Sequence, residues 1–299
     1  QKKFYKNNYI FKKYFMTILV TGSSGFIGTN LLNYLLIKRK KFVGIDKKQS
    51  KYFRGKNILK FDLNNFKKLE KVFMYRKIKY VVHLAAIPGF VSCHNDPLSA
   101  FKNNVNVTNN LLFLSQKYRV KRIIIASSMG VDNFYTKPGF YSLTKIISEK
   151  LALTYNFNFK NFIQIAKISN VFGFYSTHKS SVIHSFIKKI IKGKKLEIHN
   201  TGKQNRDFIF VQDVCKSLFS SLFSNKSNMN IFIRTNSYNS ILEIKKILNK
   251  ITQKNNKAKF YKTPKGYDDV IYKRKKAKNR DYLYKNLKKT YNWYLENYS

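Results

Sequence analysis

The sequence of 299 residues has only two cysteines, Cys93 and Cys215, and only four prolines. The two cysteines form neither the close pairs of a metal site nor a redox motif, so we expect reduced thiols without a shared role. No proline-rich or glycine-rich linker separates the halves of the chain. We therefore expect the two halves to pack against each other without a tether.

Long hydrophobic runs are also missing. Segment 122–126 is typical of the longest apolar stretches, and it is far shorter than the ~20 residues that a membrane-spanning helix requires. Residues 1–15 mix lysines with aromatic residues and lack the apolar centre of a secretory signal. We expect a cytoplasmic protein with no membrane partner, whose folded part begins near Met16 after a basic extension that need not belong to the native product.

Acidic residues are scarce, since 14 Asp and Glu stand against 59 Lys and Arg, for a formal net charge of +45. Such an excess of positive charge can bind nucleic acid, an anionic membrane surface or an anionic substrate. Here Lys, Asn, Ile, Phe and Tyr are abundant along the whole chain, whereas binding patches concentrate on one face. We interpret the charge as a compositional bias and expect no nucleic-acid partner.

The order of the predicted elements indicates the fold class. Strand-like runs at 17–20, 42–45, 58–61, 80–84, 122–126 and 162–168 mostly alternate with helical stretches, which is typical of a parallel sheet covered on both faces. Beyond Gly173 the pattern breaks into shorter pieces. These include a helix at 181–191, a strand at 207–211 and a terminal helix through Trp293. We predict an α/β protein with a Rossmann-type doubly wound sheet at 16–173 and a smaller, interleaved substrate-binding α/β region at 174–299.

A glycine-rich turn follows the first predicted strand and precedes a helix. Gly22, Gly25 and Gly28 permit a tight turn, close approach of a pyrophosphate and close helix packing, and the helix amino terminus favours the phosphates. Asp46 ends the second strand, where a carboxylate can accept hydrogen bonds from ribose hydroxyls and repel a 2′-phosphate. The pattern favours NAD over NADP, although Lys47 and Lys48 soften that discrimination.

Tyr141 and Lys145 are four residues apart and therefore share one face of a helix. A cation beside a phenol lowers its pKa, so Tyr141 would serve as a general base near neutral pH. Ser128 follows the strand at 122–126 and is positioned to bridge Tyr141 to a substrate hydroxyl. No metal-ligand pattern accompanies these residues, and we predict a catalytic group of Ser128, Tyr141 and Lys145.

Taken together, the ordered motifs resemble the extended short-chain dehydrogenases/reductases, in particular their NAD-dependent nucleotide-sugar epimerase/dehydratase branch. The motifs are Thr21-Gly22-Ser23-Ser24-Gly25-Phe26-Ile27-Gly28, Asp62-Leu63, His83-Leu84-Ala85-Ala86, Asn104 with Asn110, Ser127-Ser128, Tyr141 with Lys145, Ser169-Asn170-Val171-Phe172-Gly173 and Arg206-Asp207-Phe208-Ile209-Phe210-Val211.

The resemblance implies the roles of further residues. NAD would contact Gly22, Gly25, Phe26, Ile27, Gly28, Asp46, Asp62, Leu63, Leu84, Ala85, Ala86, Asn104, Tyr141 and Lys145, and the sugar nucleotide would contact Ser128, Tyr141, Asn170 and Arg206. Asn104 would hold the active-site loop, and Lys145 would bind the nicotinamide ribose. Read from the sequence alone, Asp62 is equally compatible with a solvated loop position.

Several positions depart from the family pattern. Gly89-Phe90-Val91 lacks the arginine found in many sugar-acid and galactose-type epimerases, Lys167 replaces an arginine, and Phe172 replaces a tyrosine. The chain between Gly266 and Trp293 is short where relatives supply a second diphosphate-binding arginine, for which Arg274 and Arg280 are candidates.

The residues after Ser128 bear on the reaction. Dehydratases carry Asp-Glu there and decarboxylases usually a Glu, whereas Met129 and Gly130 cannot transfer a proton. We therefore predict an NAD-dependent epimerase acting at C4 of a nucleotide-diphosphate sugar, most simply a UDP-sugar, through a transient 4-keto intermediate. A nucleotide-sugar reductase or dehydrogenase is the alternative, and a non-catalytic binding module is a third possibility.

The resemblance also implies a homodimer that pairs the helix at 104–116 and the helix from Tyr141 with their symmetry mates. Apolar side chains on these helices would form the outer face: Val105, Leu112, Leu114, Ile146, Ile147 and Leu151. The alternative is that these side chains only pack on the sheet.

Overall fold

The computed structural model describes residues 16–298 except 54, 56, 136–137, 160–162, 226–227 and 263–279. For residues 132, 133 and 280 it describes the backbone but not the side chain. Its strands are β1 (Thr17–Thr21), β2 (Phe42–Asp46), β3 (Ile58–Lys60), β4 (Ile78–His83), β5 (Arg122–Ser128), β6 (Ile163–Ile168), β7 (Asn170–Phe172), β8 (Leu196–His199), β9 (Asn205–Phe210), β10 (Asn230–Ile233), β11 (Tyr238–Ser240) and β12 (Ala258–Tyr261).

Within the described residues, ten α-helices connect and cover these strands. They are α1 (Phe26–Ile37), α2 (Phe66–Arg76), α3 (Phe90–Asn95), α4 (Pro97–Phe101), α5 (Val107–Lys117), α6 (Phe140–Phe159), α7 (Val182–Ile191), α8 (Val211–Phe223), α9 (Ile241–Thr252) and α10 (Arg280–Asn297). A π-helical turn at Lys102–Asn106 joins α4 to α5, and a 3₁₀ turn at Met129–Asn133 follows β5. Among the helices described, none is long and apolar enough to cross a bilayer.

Seven strands form one parallel sheet in the order β10-β6-β5-β4-β1-β2-β3. Apolar residues of β1 point alternately to its two faces, so Ile18 and Val20 pack with α1 and α8, and Leu19 packs with α2, α5 and α6. A strand buried on both faces has a continuous apolar run, as Ile18 to Val20 does. The predicted doubly wound α/β fold is confirmed.

The sheet places several candidate residues at one edge. Thr21 at the end of β1 pairs in register with Ile45 of β2 and His83 of β4. In open parallel sheets, ligands bind outside the carboxyl ends of the strands, where the strand order reverses. Here the chain runs from β1 to β2 on one side and crosses to β4 on the other, so the glycine turn, Asp46, His83 and Ser128 meet at this edge.

The second part of the chain, together with β7 of the first part, forms two small sheets, β11-β9-β7 and β12-β8, which pack with α7, α9 and α10 around a separate apolar core. It also contributes β10, which pairs with β6 in the large sheet. The strand predicted at 207–211 instead spans Asn205–Phe210, and Val211 begins α8. The helix predicted at 181–191 is α7, with Ser181 at its N-cap.

The apolar face predicted for the homodimer needs a correction. Leu112 and Leu114 are completely buried against the large sheet, and Val105 is buried as well. On α5 it is Phe113, between those two leucines, that faces outward. The helical period explains the error, because adjacent positions point about 100° apart and the sequence does not fix which face meets the sheet.

Candidate active site

A large cleft of about 1680 Å³ opens at the carboxyl edge of the seven-stranded sheet. A site for one small ligand typically measures about 300–1,000 Å³, so this cleft has room for two. The predicted site residues line it with two exceptions, Asp62 and Asn104. Sequence-distant candidates, from Gly22 to Arg206, therefore share a single cleft.

The glycine turn lies at the floor of this cleft. Gly22 has a φ of +68°, and a Cβ there would lie 2.7 Å from the backbone nitrogen of Ala85. A Cβ on Gly28 would lie 2.1 Å from the carbonyl oxygen of Gly22. Only glycine fits these positions, and α1 then begins at Phe26 with its amide groups directed to the turn. This cradle fits the pyrophosphate of a dinucleotide.

Asp46 is held in place by backbone amides. Its Oδ2 accepts a hydrogen bond from the Ser24 nitrogen at 3.0 Å, and its Oδ1 accepts one from the Lys48 nitrogen at 3.0 Å. A carboxylate has about four acceptor positions, so capacity remains for two ribose hydroxyls. The residues present therefore fit the adenosine end of NAD as well as its pyrophosphate.

Asp62 lies outside the cleft lining and forms a 3.0 Å ion pair with Lys47. Burial raises the pKa of this carboxyl, but hydrogen bonds from Asn64 and Lys47 and the charge of Lys47 outweigh burial, so its pKa is lowered. The structure thus gives Asp62 a local partner in Lys47, and its contact with adenine stays a prediction.

The predicted catalytic residues come together across the cleft from the glycine turn. Tyr141 hydrogen-bonds with Ser128, whose Oγ also accepts from the Gly130 nitrogen at 3.1 Å. Lys145 is buried, and its Nζ donates to the carbonyl oxygen of Ala126 at 2.9 Å. Because α6 carries Tyr141 and Lys145 and β5 carries Ser128, the packing of α6 on the sheet fixes this group.

The electrostatics differ from the sequence prediction. We predicted that Lys145 lowers the pKa of Tyr141, whereas burial raises this pKa to about 12, and the hydrogen bond with Ser128 only partly opposes the rise. Burial also lowers the pKa of Lys145 to about 8, against the opposing effects of Cys93 and Glu149. Both shifts have the same cause, since removal from water disfavours the charged form of either group.

Cys93 lies closer to this group than the sequence indicated. Its side chain is buried in α3, its Sγ lies 3.4 Å from the carbonyl oxygen of Ile87, and burial raises its pKa. Cys215 is buried in the opposite core, and burial raises its pKa too. Both are free thiols in their protonated form.

The part of the cleft that holds the predicted substrate-binding residues Asn170 and Arg206 is built from β7 and β9. Asn170 donates from Nδ2 to the carbonyl oxygen of Asp207 at 3.2 Å, and Arg206 lines the cleft one residue earlier on β9. Asp207 itself accepts hydrogen bonds from the nitrogens of Thr235 at 3.1 Å and Asn236 at 2.7 Å. Arg206 thus faces the cleft, whereas Asp207 fixes the loop after β10.

A family model described as the NAD dependent epimerase/dehydratase family matches residues 18–231. The chain belongs to this family. The resemblance drawn from the motifs is confirmed, and so is NAD as the cofactor of the family.

Individual relatives support the same placement. A UDP-glucuronate 4-epimerase of Thermodesulfobacterium geofontis is 29% identical over 229 residues, which cover 68% of this chain and 71% of that protein. The crystal structure of UDP-glucuronic acid 4-epimerase from Bacillus cereus, in complex with UDP-glucuronic acid and NAD, is 26% identical with a TM-score of 0.80 and covers 95% of this chain and all of that one, 100%. A Thermotoga maritima UDP-glucose 4-epimerase shares the fold, with a TM-score of 0.83 at 22% identity over 95% of this chain and 100% of that chain.

Other residues of this epimerase/dehydratase-family chain line the cleft without having been predicted. Phe90 covers Tyr141 edge-on, with ring centroids 5.7 Å apart. Arg234 follows β10 and adds a second arginine to the cleft that holds Arg206. The predicted candidates for a second arginine were Arg274, which lies outside the described residues, and Arg280, whose side chain does too. No local motif marks Arg234, because the long-range pairing of β10 with β6 brings it to the site, whereas Phe90 belongs to the Gly89-Phe90-Val91 segment that departs from the family pattern.

Proposed function

We propose that this protein is an NAD-dependent 4-epimerase of a UDP-sugar. The proposal is carried by the group of Ser128, Tyr141 and Lys145, which lies beside a dinucleotide cradle in one cleft. The two residues after Ser128, which are Met129 and Gly130, have no group that transfers a proton. A dehydratase needs such a group to expel a hydroxyl and a decarboxylase usually keeps one. Removal and return of a hydride at C4 needs only one base.

In the proposed reaction, Tyr141 takes the proton of the sugar 4-hydroxyl, and Ser128 orients that hydroxyl through its hydrogen bond with the phenol. When bound, oxidised NAD supplies a hydride acceptor and a positive charge, and a nearby positive charge favours the phenolate of Tyr141. This matters because burial, only partly opposed by the hydrogen bond with Ser128, raises the pKa of Tyr141 to about 12. After the 4-keto sugar turns over, Tyr141 returns the proton.

Lys145 holds the nicotinamide ribose in this proposal, because its ammonium is anchored beside Tyr141 at the carbonyl of Ala126. Asn170 and Arg206 would bind the sugar nucleotide, with Arg206 pairing two oxygens of the diphosphate. Residues 174–299 would form the substrate-binding region. A UDP-sugar is supported by the relatives named above, which act on or bind UDP-linked sugars.

We also propose a homodimer, with a revised contact face. Large apolar side chains are exposed along α4, α5 and α6, at Leu98, Phe101, Phe113, Leu153 and Phe157. Phe157 and Leu98 are 84% and 85% exposed, which is costly for a lone chain in water. Pairing of these helices with a second copy would cover the patch.

The test uses purified protein with UDP-glucose, UDP-N-acetylglucosamine and UDP-glucuronate, without added cofactor. We expect the 4-epimer of at least one sugar, and Tyr141→Phe should lower the rate by about 10²- to 10⁴-fold because it removes the general base. In a parallel assay with added NAD, net formation of NADH in step with product would instead identify a dehydrogenase. Absence of any epimer from a broad nucleotide-sugar panel would refute the proposed function.

A further inference from the structure

Four buried polar residues form a continuous hydrogen-bonded chain behind the cleft, at the ends of β1 and β4. The Oγ1 of Thr21 lies 2.7 Å from Nδ1 of His83, and Nε2 of His83 lies 3.0 Å from Oγ1 of Thr108. Thr108 in turn lies 2.6 Å from the carbonyl oxygen of Asn104. His83 precedes the cofactor-lining segment 84–86, and none of its contacts reaches the substrate end of the cleft.

The direction of each hydrogen bond follows from the groups at the end of the chain. A carbonyl oxygen only accepts, so the single hydroxyl proton of Thr108 is donated to Asn104. Thr108 can then only accept from His83, which places the ring proton on Nε2. Nδ1 of a neutral ring is consequently an acceptor, and Thr21 donates to it.

The acceptor capacity of the Thr21 hydroxyl completes the pattern, because its Oγ1 accepts from the backbone nitrogen of Ala85 at 3.4 Å. Every link has one donor and one acceptor, and a neutral His83 satisfies all of them. Burial and the charge of Lys145 lower the pKa of His83 to about 3, which agrees with a ring that stays neutral.

Asn104 extends the chain to the catalytic helix. It lies in the π-helical turn, where its Oδ1 accepts from the Ile87 nitrogen at 2.7 Å and its Nδ2 donates to Oγ1 of Thr144 at 3.0 Å. Thr144 donates to the carbonyl oxygen of Tyr141 at 2.9 Å. The links therefore run from the residue before Gly22 to the backbone of Tyr141.

We propose that His83 is a positioning residue, whose Nε2-protonated ring fixes the 84–87 segment and the π-helical turn relative to each other and thereby sets the cofactor site against Tyr141. The ring does this as a rigid spacer with an acceptor on one side and a donor on the other. The effect of His83 on turnover rests on the proposed function, whereas its effect on NAD retention does not.

The sharpest test is Thr108→Val, which keeps the side-chain shape and removes the acceptor for His83 without touching cofactor or substrate. We expect NAD release to accelerate by roughly tenfold and kcat to fall by up to about 10²-fold, because small misplacements at a reacting centre have effects of that size. KM for the nucleotide sugar should change little, since the residues proposed to bind it, Asn170 and Arg206, belong to other strands. Thr108→Ser restores the hydroxyl and should recover both quantities.

Thr290→Val is the matched control. Thr290 is also completely buried in a helix, and it donates to the carbonyl four residues earlier, Asn286, at 2.8 Å. Both valine variants lose that local hydrogen bond, and only Thr108→Val breaks a link to His83. If Thr108→Val melts like Thr290→Val and keeps wild-type NAD release and kcat, His83 has no positioning role.

A second variant keeps the proposal testable if Thr108→Val does not fold. His83→Gln retains a donor for Thr108 but offers no ring acceptor to Thr21, so NAD release should accelerate by roughly three- to tenfold. Wild-type release from His83→Gln would overturn the proposal. NAD release is followed by displacement with excess cofactor analogue, so it decides the proposal even if the wild-type protein epimerises no sugar.

Discussion

Gly28→Ala tests the assignment of the dinucleotide cradle. The new Cβ would lie 2.1 Å from the carbonyl oxygen of Gly22 and 2.8 Å from Cα of Ser23, both of them backbone atoms that no side-chain rotation can move away. A normal van der Waals separation between such atoms is about 1 Å longer, so the turn and the start of α1 must move apart by roughly that amount. We expect NAD affinity to fall by at least about 10²-fold, because the amides and the helix terminus that would hold the pyrophosphate lose their alignment.

Stability is expected to change far less than affinity, by about 1–3 kcal/mol, as for other overpacked sites. Gly193→Ala is the control: Gly193 has a φ of +62° at the end of α7, and no described atom lies within 4 Å of its added Cβ. This control bears backbone strain of about 1–2 kcal/mol without altering the cradle. NAD content after denaturation and thermal shifts against NAD concentration measure both effects. Wild-type NAD affinity in a folded Gly28→Ala variant would refute the assignment.

Three further perturbations test separate features. NAD affinity should decline as the pH rises through about 8, where Lys145 loses its proton. Lys145→Met should bind NAD weakly and without this pH dependence. If calorimetric titrations give Lys145→Met the same pH profile as the wild type, the role of Lys145 is contradicted. Ser240→Ala removes the capping box in which Ser240 and Glu243 hydrogen-bond reciprocally at the start of α9, and urea unfolding should reveal a loss of about 1 kcal/mol; no loss would mean that water replaces the cap. Phe157→Lys charges the exposed patch, so light scattering should report a monomer where the wild type is a dimer, and a monomeric wild type would end the dimer proposal.

The parts of the site that sequence reasoning found are those defined by local spacing. The three glycines, Asp46 at a strand end and the four-residue interval from Tyr141 to Lys145 each depend on a short element whose geometry is known in advance. The parallel fold was predictable for the same reason, since strands β1 to β6 and the longer helices between them carry their own periodic patterns. Such features survive without knowledge of tertiary contacts.

The rest depends on contacts that no local pattern encodes. Strands β7 and β11 have three residues each, too few for a recognisable alternation, so Tyr238 on β11 could not be assigned to the cleft. Burial is equally non-local. The raised pKa of Tyr141 follows from the packing of α3 and α6 over its ring, and the inward face of Leu112 follows from the position of the sheet.

The strong basic bias raises the question of how a carboxylate keeps its direction in the cleft. Lysines outnumber acids, and an ion pair such as that of Lys47 with Asp62 does not by itself fix a carboxylate, because a flexible ammonium can follow it wherever it turns. Asp46 and Asp207 are instead held by backbone amides, two for each carboxylate, and Asp207 also accepts hydrogen bonds from the hydroxyls of Ser169 and Thr235. An amide in a fixed turn cannot swing into the cleft, so it sets the orientation of the carboxylate, and at Asp46 the two amides satisfy only part of the acceptor capacity. The acidic groups at both ends of the cleft therefore stay where the backbone puts them, and substitution of lysines on the surface should leave their geometry unchanged.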